Sequence, residues 1–138
     1  MNQLADMHYA RASHGICLNR KFVYVCGGRD ESENPQKTFE RYDTAMNTWE
    51  KLPECVIPAI RPLLVTLNDN YVFKLGGITA DQLSCNTIER FDISKNEWSV
   101  VSYIVKEESK NLKSSGFAFH PMMSGVQISH NSIMVLFE

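Results

Sequence analysis

The chain has 138 residues, 43% of them hydrophobic and 22% charged, with a formal net charge of −2. That balance gives no basic footprint for nucleic acid or for an anionic membrane surface, and no apolar run approaches the ~20 residues of a membrane-spanning helix. Residues 1–7 lack the basic start and apolar core of a secretory signal, and no Asn-x-Ser/Thr acceptor occurs.

Taken in order, the segments are short, β-branched or aromatic, and bounded by turn chemistry, which is the signature of strands. The first run is 14–18, followed by a polar break at Asn19-Arg20-Lys21 and a second run at 22–26 that enters Gly27-Gly28. A polar loop over 29–37 contains the turn signal Asn34-Pro35. A third strand is predicted over 38–43, a turn over 44–47, and a fourth strand over 48–52, closed by Pro53. The same order returns in strands over 64–67, 71–75, 87–92 and 97–101, with Gly76-Gly77 after the second of them. Residues 125–128 and 132–137 read as two further strands, delayed by a solvated stretch over 106–121.

The third strand decides how these units pack. Alternate residues face opposite sides, so Phe39, Arg41 and Asp43 share one face and Thr38, Glu40 and Tyr42 the other. Each face carries an aromatic, so both are expected to be covered. A four-stranded antiparallel sheet covered on both sides by like sheets is a propeller blade, with Trp49 and Trp98 on outer strands filling the gaps between blades.

The chain also matches itself at a shift of 49 residues. Gly27-Gly28 returns as Gly76-Gly77, Thr38 as Thr87, Glu40-Arg41 as Glu89-Arg90, Asp43 as Asp92, Asn47 as Asn96 and Trp49 as Trp98. Ala10/Ala59, Leu18/Leu67, Asn19/Asn68 and Val23/Val72 fall in the same register. A period near fifty marks stacked copies of one supersecondary unit, each unable to bury its apolar faces alone.

These residues resemble a kelch repeat: Met7-x-x-x-Arg11-x-x-His14-Gly15, an apolar strand into Gly27-Gly28, Glu40-Arg41-Tyr42-Asp43, and Asn47-Thr48-Trp49. The second copy, from Arg61 through Gly76-Gly77, Glu89-Arg90-Phe91-Asp92 and Asn96-Glu97-Trp98, resembles it too, without a counterpart to His14. The resemblance covers about two thirds of the chain. It implies an all-β fold: a partial kelch-type β-propeller with blade 1 at about 7–55, blade 2 at about 56–105, a loop at 106–121 and the start of blade 3 at about 122–138. A ring of four to eight blades at about fifty residues each needs more chain than this. The expectation is therefore a piece of a larger propeller, with completion by partner chains as the alternative.

Candidate chemistries are each weaker than their structural explanations. His8, His14, His120 and His130 share no spacing that brings two ligands to one metal, and His14 belongs to the repeat, where packing accounts for it. Cys17, Cys26, Cys55 and Cys85 fit neither a metal knuckle nor a disulfide scaffold and read as buried free thiols of a reducing compartment. The double glycines lead into loops and lack a P-loop lysine, so close packing or positive φ explains them. No nucleophile elbow is present. Glu40-Arg41 and Glu89-Arg90 recur once per blade and are expected to form ion pairs between sheets, since buried charges must be paired. No metal, cofactor or catalytic set is expected.

Two classes of function follow. The resemblance implies a protein-interaction module, as in kelch scaffolds, those of the cytoskeleton among them, and in substrate receptors of ubiquitin ligases, with a cytoplasmic location. The alternative is a carbohydrate enzyme of the galactose-oxidase or mutarotase type, for which no tyrosine and histidine ligand set can be matched. In an interaction module, the resemblance places partner contacts on one face of the ring, at Tyr9, Arg11, Arg29, Asp30, Arg61, Thr79, Asp81 and Gln82. The alternative for Arg11 and Arg61 is that they only stabilise the ring.

Overall fold

The computed structural model describes residues 3–83, 85, 87–101, 123–129 and 132–137, the last two segments as backbone alone. Strands β1 (Gly15–Asn19), β2 (Phe22–Cys26), β3 (Phe39–Asp43) and β4 (Thr48–Leu52) form one antiparallel sheet in the order β1-β2-β3-β4. Strands β5 (Leu63–Leu67), β6 (Tyr71–Leu75), β7 (Ile88–Asp92) and β8 (Glu97–Val101) form a second sheet in the same order. A hairpin of β9 (Met123–Ser129) and β10 (Ser132–Phe137) follows. There is no helix among the described residues. The expected loop over 106–121 lies outside them, as do His120 and His130.

The fold is all-β, built of kelch-like blades, and the turns show why these residues make it. Asn47 and Asn96, at φ 51° and 56°, occupy the left-handed position that closes each β3–β4 and β7–β8 turn, a conformation asparagine tolerates better than other side-chain-bearing residues. The carboxylate of Asp43 accepts from the N–H groups of Ala45 and Met46, and that of Asp92 from Lys95 N–H. Gly28 sits at φ 92°, and a Cβ there would meet the Ala12 carbonyl oxygen at 2.6 Å. At Gly27 it would meet the Ala59 carbonyl oxygen at 2.7 Å. Positive φ and the close approach of the segments entering the first and second blades both require these glycines.

The repeat is less uniform than a single offset. Gly15 pairs with Cys26 and Leu63 with Leu75, so the second strands are 49 residues apart (75 − 26) but the first strands only 48 (63 − 15). The turn Asn68-Asp69-Asn70 is one residue longer than Arg20-Lys21 and takes up the difference. The apparent matches Leu18/Leu67, Asn19/Asn68 and Ala10/Ala59 are therefore out by one, and the counterpart of Ala59 is Arg11. Ser13 and Arg61, 48 residues apart, confirm this by sharing φ values of 54° and 55°.

The two sheets face each other through Tyr24, Cys26 and Phe39 of the first and Leu64, Val72 and Phe91 of the second. Phe39 meets Phe91 and Trp98 edge-on, both at 4.9 Å between ring centroids. Trp98 Nε1 donates to the Pro53 carbonyl at 2.8 Å. Trp49 makes the matching bond to Ala5 at 2.8 Å and tilts against Tyr42, with no aromatic from a preceding blade among the described residues. Both tryptophans are partly buried, less than expected, because an outer strand keeps one edge in solvent.

Trp98→Ala should cost about 3 kcal/mol in denaturant unfolding followed by circular dichroism, and Trp49→Ala about 1 kcal/mol. Equal losses would contradict the assignment of Trp98 to the blade junction.

Candidate functional site

Three stretches of backbone shape the end of the molecule where the double glycines emerge. Asp30 N–H donates to the Asn34 carbonyl and Glu33 N–H to the Asp30 carbonyl, closing the loop after Gly28. Thr79 N–H and Gln82 N–H repeat the pattern with the Leu83 and Thr79 carbonyls. Glu33 and Gln82, 49 residues apart, both hold left-handed φ, at 67° and 59°. The third stretch is the link between the blades, where Ile60 bridges Ile78 and Arg61 N–H donates to the Ser13 carbonyl at 2.8 Å.

Between them lies an open cleft of about 470 Å³, lined by Ser13, Arg29, Glu33, Pro35, Ile60, Arg61, Ile78, Thr79, Ala80 and Gln82. Arg29, Arg61, Thr79 and Gln82, four of the eight residues expected to contact a partner, thus come together, drawn from both blades. Arg29 is held by Glu33 at 2.7 Å. Arg61 is exposed and has no ion-pair partner among the described residues. With two guanidinium groups against one carboxylate, the cleft can accept a hydrogen-bond acceptor or an anionic side chain over the apolar Ile60 and Ile78.

The other four residues lie elsewhere. Asp30 uses its carboxylate to cap its own loop, accepting from Ser32 N–H at 2.9 Å and Asn34 N–H at 3.0 Å. Asp81 is exposed but does not line the cleft. Tyr9 lies under Lys51, with Nζ 4.9 Å from its ring centroid. Arg11 corrects the expectation outright: its side chain has 0% exposure, so no partner can reach it. Its guanidinium donates to the Gly27 carbonyl at 2.9 Å, the Thr38 carbonyl at 3.0 Å and Glu40 at 2.9 Å. Of the lining residues not foreseen, Glu33 carried a usable signal, since it falls in register with Gln82. Ser13 lines up with Arg61 only once the one-residue slip is known.

The Glu-Arg pairs are a second correction. They were expected to form ion pairs between sheets, but each residue finds its partner within its own blade or in the segment that enters it, and neighbours along a strand point to opposite faces. Fully buried Glu40 accepts from His8 N–H at 2.8 Å, Tyr9 N–H at 3.3 Å and Arg11. Fully buried Glu89 accepts from the Val56 and Ile57 N–H groups and, at 2.8 Å, from Lys74. Arg41 instead stacks over Phe22 at 4.3 Å and pairs with Glu50 at 2.7 Å, and Arg90 lies over Tyr71 at 4.9 Å. Burial raises the cost of ionising Glu40, but the donors from His8 and Arg11 outweigh it and hold the carboxyl below its ordinary value. His14 packs against Gly28, and burial followed by the nearby Arg11 charge lowers its pKa, which favours a neutral packing role.

The family model for the Kelch motif matches residues 10–55 and 62–103, well over half of the chain. The chain belongs to the kelch-repeat family. Kelch repeat and BTB domain-containing protein 2 of Ectromelia virus (strain Moscow) is 34% identical over 79 residues, covering 46% of this chain and 14% of the viral protein. Beta-scruin of Limulus polyphemus is 31% identical over 64 residues, covering 46% of this chain and 7% of that protein. Alpha-scruin of the same organism is 38% identical over 48 residues, 35% of this chain and 5% of its own. The matches thus span less than a sixth of these relatives' length.

The kelch glutamate sets a pH dependence. Because the folded state lowers the Glu40 pKa, its contribution is complete above the ordinary value of 4.5 and is lost as pH falls through the folded value. Glu40→Gln should cost about 3 kcal/mol in urea unfolding at pH 7, leaving Arg11 buried and unpaired. That difference should shrink towards pH 3. A cost independent of pH would show that the ionised carboxylate is not what holds the first link.

Proposed function

We propose that this kelch region is a protein-interaction module and that the cleft between its blades receives a protein segment bearing a carboxylate. The observation that carries this reading is the convergence of Arg29, Arg61, Thr79 and Gln82 from two blades around one opening. Arginine concentrates interface energy because its planar fork makes paired, directional bonds to carboxylates. Left-handed Arg61 is shared in conformation with Ser13, so the backbone there belongs to the blade architecture and the side chain is left to vary. The kelch family supports interaction over catalysis, and a ubiquitin-ligase or cytoskeletal component is the class of partner we favour.

The same reading extends to the organisation of the chain. We infer that the β9–β10 hairpin begins a third blade after blades at about 7–55 and 56–105, and that further blades, from the parent chain or from a partner, complete the ring. Four unpaired thiols, at Cys17, Cys26, Cys55 and Cys85, support a reducing, cytoplasmic location.

The test is affinity purification with the wild-type parent protein and its Arg29→Glu/Arg61→Glu variant, with metal analysis and carbohydrate turnover on the same samples. Exposed substitutions shift stability by under about 0.5 kcal/mol, so the variant should stay folded and lose its specific partners. Unchanged partners together with bound copper or sugar turnover would overturn the reading in favour of an enzyme.

A further inference from the structure

One carboxylate in the cleft serves no need of the backbone that carries it. Arg29 is pinned by paired bonds with Ala12: its N–H donates to the Ala12 carbonyl at 2.9 Å, and its carbonyl accepts from Ala12 N–H at 3.1 Å. It also bridges Pro35 across the loop. Glu33 is fixed by its N–H bond to the Asp30 carbonyl at 3.1 Å and by its left-handed φ of 67°. Both residues line the cleft, where Arg29 Nη1 donates to Glu33 Oε2 at 2.7 Å. A left-handed position favours glycine or asparagine over glutamate. The second blade builds the same loop without either charge: Ile78 stands for Arg29 and Gln82, at φ 59°, for Glu33, each 49 residues on (78 − 29, 82 − 33). The pair is also solvent-exposed, at 43% and 71% of the two side chains, so it adds little to stability. What the carboxylate does is occupy one of the two guanidinium groups of the cleft.

We propose that Glu33 is a built-in competitor for the partner: it occupies Arg29 in the free protein, must leave when a partner carboxylate takes that guanidinium, and thereby sets the affinity of the cleft for acidic protein segments. The inference rests on the reading of the cleft as a carboxylate site. Arg61, exposed and without an ion-pair partner among the described residues, is the anchor and takes the first carboxylate. Arg29 takes the second, exchanging one carboxylate for another. The exchange is open to solvent on the Glu33 side. It favours a partner whose carboxylate makes the paired fork contact, because Glu33 holds Arg29 by one bond. A segment whose carboxylates cannot reach Arg29 in that geometry meets Glu33 as a like charge and is rejected. Specific sites use such repulsive groups to refuse near-matches, and here the group keeps a doubly basic cleft from holding every acidic chain.

The parent protein and its Glu33→Gln, Arg29→Gln, Arg29→Gln/Glu33→Gln and Arg61→Gln variants are titrated against a fluorescein-labelled hexaglutamate peptide by fluorescence anisotropy, with circular dichroism checking the fold of each. The second blade carries glutamine at the equivalent position, Gln82, so the loop accepts it. Freeing Arg29 from an exposed ion pair should lower Kd by about two- to fivefold. That gain should vanish in the Arg29→Gln background, as coupling between the two residues requires. An equal gain in both backgrounds would show that Glu33 acts only as a distant charge and would overturn the proposal. An unchanged or raised Kd in Glu33→Gln would overturn it too, while loss of binding in Arg61→Gln left the carboxylate reading intact. Hexaglutamate that binds neither the wild type nor Glu33→Gln, or that binds Arg61→Gln undiminished, would overturn that reading and this proposal with it.

Discussion

A carboxylate with no exposure persists in a sheet interior only if its oxygens are filled with donors, and each of the two four-stranded sheets described is organised around one. Glu40 and Glu89 stand at the same place in β3 and β7, and both take backbone N–H groups from the segment that enters their blade. An extended link has no strand partner for those amides. The glutamate supplies it, and so fixes where the chain crosses from one sheet to the next. The double glycines complete the crossing, because Gly28 N–H donates to the Ala59 carbonyl of the same link at 2.9 Å. The position of Ile60 and Arg61 in the cleft follows from these two constraints.

The charge that balances each glutamate comes from a different place. In the first blade Arg11 of the entering segment provides it, and in the second Lys74 of β6 does, while the counterpart of Arg11 is Ala59 and that of Lys74 is Val25. The cage needs one buried cation and two amides, and the cation can be delivered from either neighbouring segment. In the second blade this choice brings the ammonium to the Ile57 carbonyl, which the Cys55 thiol also meets.

Much of the fold was legible in the sequence because its signals are local. Alternation along 39–43, the asparagines at left-handed turn positions and the glycines before the loops each state a backbone requirement within a few residues. The Glu-Arg motif misled because a charge that recurs once per blade reads as a link between sheets, whereas its partners, Arg11, Glu50 and Lys74, come from the same blade or its entering segment. Arg11 misled because a link arginine reads as exposed until its acceptors, 16, 27 and 29 residues away, are known. The one-residue slip between the first and second strands was hidden by chance identities such as Leu18 and Leu67. The cleft was half visible: its residues were named from loop positions, but which of them converge depends on how two loops and a link meet in space.

The central claim is that the buried glutamate holds the link by its amides, and the most direct measurement is amide hydrogen exchange in the Lys74→Met/Glu89→Leu variant. Replacing both charges with apolar groups of similar size avoids stranding either one and leaves the sheet close to its original stability. The account predicts that β5 to β8 keep their protection while the Val56 and Ile57 amides exchange at least about tenfold faster, as expected for a lost hydrogen bond. Unchanged protection at those two amides would show that the link is held by something other than the carboxylate.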